Sequence, residues 1–151
     1  MKMKSQLVCA VLLSAAPLLG WAQSCEVTVE SSDTMRYSMR SISVPKSCET
    51  FKVTLKHTGR MPKTAMGHNW VLGKSSEIDA IIKDGQKAGS EHDFLKPDDT
   101  RIIAKTALIG GGETADTTIT TSNLKPGESY TFICSYPGHW SMMRGTLKLE
   151  A

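Results

Sequence analysis

Near its C-terminus the chain reads Tyr130-Thr131-Phe132-Ile133-Cys134-Ser135-Tyr136-Pro137-Gly138-His139-Trp140-Ser141-Met142-Met143. Tyr130 to Cys134 is a short aromatic and β-branched run, the composition of a strand. Alternate residues of a strand share a face, so Cys134 points the same way as Tyr130 and Phe132, into the end of a core. Pro137-Gly138 then turns the backbone, and His139 can come back beside the sulfur. A thiolate, an imidazole and a thioether therefore fall within ten residues, directly after a strand.

Working outward, most of the chain has the same short-strand texture. Phe51, Val53, Leu55 and His57 alternate with Lys52, Thr54 and Lys56, the pattern of a half-buried strand. Val27 and Val29, Ile42 and Val44, Thr118 to Thr120, and Thr146 to Leu149 give similar signals. Pro45, Gly59, Gly110-Gly111-Gly112 and Pro126-Gly127 separate them. Many short strands without regular helices between them predict an all-β fold, a β-sandwich or small Greek-key barrel. One segment differs: Ile78, Ile81 and Ile82 follow helical spacing, and Ser76 with Asp79 resembles a capping box. A single inserted helix of two to four turns is expected there, ended by Gly85 or Gly89. The triple glycine lacks the following Lys-Ser/Thr and helix of a phosphate loop, so it reads as a turn.

The opposite end of the chain sets the compartment. Lys2 and Lys4 precede a mostly apolar run, Leu7 to Leu19, and Gly20-Trp21-Ala22 offers a small-x-small cleavage site. Residues 1–22 are thus expected to be a secretory signal peptide, too short to span a bilayer. Gln23-Ser24 before Cys25 fits a lipid anchor poorly. Residues 23–151 then form one domain with one core. The leader removes two of 18 basic residues and no acid, leaving 16 against 15 and a formal charge of +1. Such a balance gives no reason to expect nucleic acid or an anionic membrane as partner.

Cysteine usage sharpens this. With Cys9 in the leader, Cys25, Cys48 and Cys134 remain in an oxidising compartment, and an exported chain seldom keeps an odd thiol without a reason. Cys25 and Cys48 can form a disulfide, leaving Cys134 alone. A buried inert thiol is the plain alternative. Its neighbours argue otherwise: Cys134, His139 and Met143 are joined by His68, in Met66-Gly67-His68-Asn69-Trp70. Two histidines, a thiolate and a weak axial thioether are the ligand set of a blue-copper site. A structural zinc site would want a better fourth ligand than a thioether, and catalytic zinc an open water position. A Cys-His nucleophile lacks an orienting third group.

Gly67-His68-Asn69-Trp70-Val71-Leu72, Leu95-Lys96-Pro97-Asp98-Asp99 and Cys134 through Gly145 resemble the motifs of the azurin family of cupredoxins. The resemblance covers nearly all of residues 23–151. It implies an eight-stranded Greek-key fold with a helical flap and one copper ion. His68, Cys134 and His139 would be equatorial ligands, Met143 axial, and the Gly67 carbonyl a distant second axial group. Met142 is not the ligand on this alignment. Asn69 would brace the ligand loop, Trp70 would match a buried core tryptophan, and Cys25–Cys48 the family's disulfide. Electrons would pass through the edge of His139, inside an apolar docking patch of Met35, Met61, Met66, Tyr136, Pro137 and Gly138. Trp140 stands where azurins commonly carry a small residue, so its ring should enlarge or partly cover that patch. His57 matches a family histidine near the site, whose protonation is expected to move the reduction potential slightly.

The expected function is therefore periplasmic one-electron transport by a monomeric carrier, not an enzyme, without a membrane anchor. Expected partners are redox proteins such as c-type cytochromes, nitrite reductase or an amine dehydrogenase. The alternative is a periplasmic copper chaperone or store, superficially favoured by Met35, Met39, Met61, Met66, Met142 and Met143. These methionines are scattered, without a Met-rich repeat.

Overall fold

The computed structural model describes residues 24–150, so the expected signal peptide at 1–22 lies outside the described residues. Eight strands form two sheets: β1 (Glu26–Ser31), β2 (Ser41–Val44), β3 (Thr50–His57), β4 (Val71–Lys74), β5 (Ile102–Lys105), β6 (Thr114–Thr120), β7 (Tyr130–Ile133) and β8 (Arg144–Leu149). One sheet runs β1-β3-β6, the other β2-β8-β7-β4-β5. β1 pairs with β3, and β2 with β8, in parallel; the remaining pairs are antiparallel. The strand order requires the crossing connections of a Greek key.

The alternation in β3 does what its sequence predicts. Thr50, Lys52 and Lys56 face outward and Thr54 is half-buried, while Phe51, Val53, Leu55 and His57 are buried. They meet Val29, Val44, Trp70, Leu72, Ile119, Phe132 and Leu147 between the sheets. Each fully buried side chain of this size contributes roughly 1.5–3 kcal/mol. Trp70 stacks on Phe132 at 5.4 Å, so the expected core tryptophan is central.

β4 and β7 do not alternate, because both their faces are covered. Leu72 and Phe132 enter the core between the sheets, whereas Val71 and Ile133 pack outward against the helix α2 (Ile78–Ala88). Ile78, Ile81, Ile82 and Leu95 complete that second cluster. The helix has three turns, as its isoleucine spacing predicts, and ends at Gly89, whose φ of 76° suits glycine. Gly85 instead lies inside the helix, buried against the backbone of Phe94. The expected cap is corrected. Glu77, not Ser76, is the N-cap, and no side chain caps the helix. Lys74 to Glu77 already close a backbone turn, with the Glu77 N–H donating to the Lys74 carbonyl at 2.9 Å. A second helix absent from the sequence reading, α1 (Lys63–Met66), is a single turn before Gly67.

Helix α2 is also held from its polar side. The Arg101 guanidinium donates to Asp99 at 2.6 and 2.8 Å and to Asp84 of α2 at 2.8 Å. Hydrogen bonds from Arg101 hold both carboxyls below their ordinary value of 3.8. A depressed carboxylate stabilises the fold fully above its ordinary pKa, and that gain fades as pH falls through the lowered one. Arg101→Leu should therefore lower the melting temperature by about 5 °C at pH 7. The gap from wild type should narrow below pH 3.8, a trend that calorimetry across pH 2–7 would test.

Cys25 and Cys48 form a disulfide spanning 23 residues, which links the start of β1 to the turn before β3. Closing a loop of that size in the unfolded chain stabilises by roughly 3 kcal/mol. The double variant Cys25→Ala/Cys48→Ala should lose about that much in urea unfolding of the metal-free protein; an unchanged midpoint would contradict it.

Candidate metal centre

Three buried side chains, His68, Cys134 and His139, converge at one end of the sandwich, with ligand-capable atoms all within 4.8 Å of one another. Two loops deliver them. His68 follows α1 and is fixed by a two-way backbone bridge to Ile109, with N–H to carbonyl distances of 2.9 and 2.8 Å. Gly67 is required just before it, since a Cβ there would lie 2.6 Å from the Lys63 carbonyl and 3.0 Å from Leu108 and Tyr136.

The second loop joins β7 to β8. Cys134 continues β7 in phase with Tyr130 and Phe132, and all three lie in the core cluster. The His139 N–H donates to the Tyr136 carbonyl at 3.0 Å, closing a turn around Pro137 and Gly138. Gly138 has φ 81°, the position where such a turn demands glycine. His139 thereby returns to the sulfur, with Nδ1 at 3.8 Å from Cys134 Sγ. The Met143 N–H donates to the His139 carbonyl at 2.8 Å, and the Met143 carbonyl accepts from the Cys134 N–H at 3.0 Å. Met143 is wholly buried in the cluster that holds Cys134, whereas Met142 is 40 % exposed. The Gly67 carbonyl lies 3.8 Å from the sulfur.

The donor atoms are prepared for a cation. His68 Nε2 donates to the Ser32 carbonyl at 2.9 Å, which leaves the Nδ1 lone pair free. That buried Nδ1 has no hydrogen-bond partner, an arrangement that costs free energy unless something occupies it. Burial lowers the His68 pKa to about 4 and also lowers that of His139, so both imidazoles are neutral at pH 7. Burial pushes the Cys134 thiol up to about 12, while the Asn69 and Tyr136 N–H groups oppose the rise. Ionising this sulfur therefore needs a positive charge beside it. Two neutral imidazoles, one thiol and a buried thioether fit copper, which accepts both nitrogen and soft sulfur.

Asn69 locks the two loops together. Its Nδ2 donates to Ser135 Oγ at 2.7 Å, and its Oδ1 accepts from the Ser135 N–H at 2.8 Å. Ser135 Oγ donates onward to the Asp93 carbonyl at 2.7 Å, and Gln86 of α2 donates to the Ser135 carbonyl at 2.8 Å. The buried Tyr37 hydroxyl donates to the Asn69 carbonyl. Sequence reasoning reached Asn69 but missed Ser135, Gln86 and Tyr37. A serine directly after the odd cysteine was the only available signal.

His57 stacks on His68 at 4.4 Å. As a neutral imidazole it is fully satisfied, with Nδ1 accepting from the Gly59 N–H at 3.0 Å and Nε2 donating to the Met66 carbonyl at 2.9 Å. Around His139, itself only 4 % exposed, Pro137 and Gly138 are exposed and Tyr136 is half-buried, its ring 4.6 Å away. Met61 is exposed, while Met35 and Met66 are half-buried. Phe94 and Leu108, absent from the expected patch, line a hollow of about 300 Å³ with Tyr136. Trp140 is half-buried: it packs against the α2 cluster and remains partly exposed beside His139.

Comparison with known proteins agrees with this geometry. The family described as copper binding proteins, plastocyanin/azurin family, matches residues 23–150. Azurin of Achromobacter denitrificans is 52 % identical, covering 93 % of this chain and 95 % of its own. Azurin iso-2 of Methylomonas sp. strain J is 58 % identical over 84 % of this chain and 98 % of its own. A solved structure of that azurin superposes with a TM-score of 0.82 at 56 % identity, covering 85 % of this chain and all of the other.

Proposed function

This chain belongs to the plastocyanin/azurin family of copper-binding proteins, and we propose that His68, Cys134 and His139 would hold its copper, with Met143 and the Gly67 carbonyl as the weaker donors beside them. The protein is a blue copper electron carrier. Copper supplies the chemistry by accepting one electron as Cu(II) and releasing it as Cu(I). The observation that carries the ligand assignment is the buried His68 Nδ1, unpartnered and converging with two other ligand atoms.

The chain's own residues supply rigidity and access. The Asn69–Ser135 pair ties both ligand loops to each other and, through Gln86, to α2. Ligands held from outside move little when the charge at the centre changes, which keeps transfer fast. Burial of all three side chains excludes water from the site. His139 is the ligand nearest open surface, beside the exposed Pro137 and Gly138. Its edge is the electron exit, and the surrounding patch of Met61, Met66, Met35 and Tyr136 docks partners. Apolar patches of modest size suit short-lived contacts.

Residues 1–22 direct the protein to the periplasm, and residues 23–151 act there as one monomeric domain. It serves as a carrier rather than an enzyme, exchanging electrons with c-type cytochromes, nitrite reductase or an amine dehydrogenase. Electron self-exchange of the copper-loaded protein separates this reading from copper storage. A carrier should exchange rapidly and retain copper against a chelator; slow exchange with rapid copper loss would favour a chaperone or store.

A further inference from the structure

Arg36, Arg40 and Arg144 come from separate parts of the chain and line one cleft of about 310 Å³. Topology brings them together at the metal end of the sandwich. β8 begins at Arg144, immediately after the ligand loop. β2 lies alongside β8 with Ser41 opposite Thr146, which puts Arg40 at the same end; the Arg40 carbonyl accepts from the Thr146 N–H at 2.9 Å. Arg36 stands in the β1–β2 connection next to Tyr37, whose hydroxyl reaches the Asn69 carbonyl. Met142, adjacent to Met143 and 40 % exposed, also lines the cleft.

All three arginines are exposed. Among the described residues none of them has an ion-pair partner; the lysines and arginine in ion pairs are Lys52, Lys56, Lys74, Lys87 and Arg101. Glu30 shares a neighbouring hollow with Arg36, and its carboxylate lies 3.9 Å from the Lys56 ammonium. Three like charges converging on one cleft repel one another, and a bound anion relieves that repulsion. Planar guanidinium forks match carboxylates in particular.

We propose that this arginine cleft selects the partner: it receives a cluster of carboxylates on the rim of an acidic redox protein. The proposal rests on the electron-carrier reading, since it names the chemistry of the surface that docks there. Tyr37–Asn69 and Met142–Met143 connect the cleft to the metal centre, so a partner held by its acidic rim stays close to the exit. Charge pairing fixes orientation and speeds encounter, while the apolar patch lets the partner leave.

The test uses the mature protein and two triple variants, Arg36→Gln/Arg40→Gln/Arg144→Gln and the corresponding lysine set. Hexaglutamate added to wild type should shift backbone amide resonances of the cleft, and the lysine set should retain the shifts. The glutamine set should lose them. In the copper-loaded proteins, hexacyanoferrate(II) and hexaammineruthenium(II) each donate one electron. At low ionic strength the glutamine set should react about tenfold more slowly with the anionic reagent and no more slowly with the cationic one. Unchanged rates with both reagents, or no shifts with hexaglutamate, would overturn the proposal. So would tight binding of duplex DNA or anionic vesicles in place of hexaglutamate. Failure of the carrier reading would look different, with neither reagent reducing any of the proteins while the hexaglutamate shifts persisted.

Discussion

Cys134→Ser is expected to remove the intense visible absorption that the wild-type protein should develop on addition of Cu(II). That band is charge transfer from a thiolate, and a serine hydroxyl neither ionises as readily nor offers soft sulfur. The loss should be essentially complete, because Cys134 is the only free cysteine among the described residues. The Gly67 carbonyl and His139 Nδ1, each 3.8 Å from the sulfur, offer a hydroxyl polar neighbours, so the metal-free variant should keep the circular dichroism of the parent. A wild-type protein that bound copper without colour would sink the electron-carrier assignment and point to storage.

The second large effect is expected at Asn69. Asn69→Ala removes both side-chain hydrogen bonds to Ser135 and strands the buried Ser135 N–H. An unsatisfied buried group costs about 1–3 kcal/mol, so unfolding free energy should fall by about 2 kcal/mol. Released from each other, the two ligand loops should also bind copper about 10–100-fold more weakly, the usual cost of losing a group that orients ligands. Urea unfolding and a competitive chelator titration measure the two effects separately. A variant with unchanged stability and copper affinity would show that the sheets alone position the ligands.

How far the sequence could be read depended on how local each cause was. β3 was legible because one of its faces meets water, so Phe51, Val53 and Leu55 alternate with lysines and threonines. β4 gave no such signal: Val71 faces α2, Leu72 faces the other sheet, and Gly73 carries no side chain. β5, Ile102–Lys105, is too short for a period to show. The Cys134–His139–Met143 spacing was legible because a single turn at Pro137-Gly138 folds it. Ser135 was not, since its partners Asn69, Gln86 and Asp93 are 66, 49 and 42 residues away. Ser76 and Asp79 looked like a cap because the pattern is local, whereas the helix start is set by the backbone turn leaving β4. Trp140 could be placed near His139 from sequence, but only the structure shows that it also packs against the α2 cluster.

The depth at which Cys134 is buried also protects the covalent structure of the chain. Disulfide exchange proceeds by attack of a thiolate, so a third cysteine in a chain with one disulfide is a hazard. Burial raises its pKa to about 12, so in the metal-free state the Cys134 sulfur stays a thiol at pH 7. That sulfur is also fully enclosed, so it cannot reach a bond between Cys25 and Cys48 on its own or a neighbouring molecule. The same wall that keeps the centre dry therefore keeps the newly folded, metal-free protein from scrambling its cross-link or joining into covalent dimers.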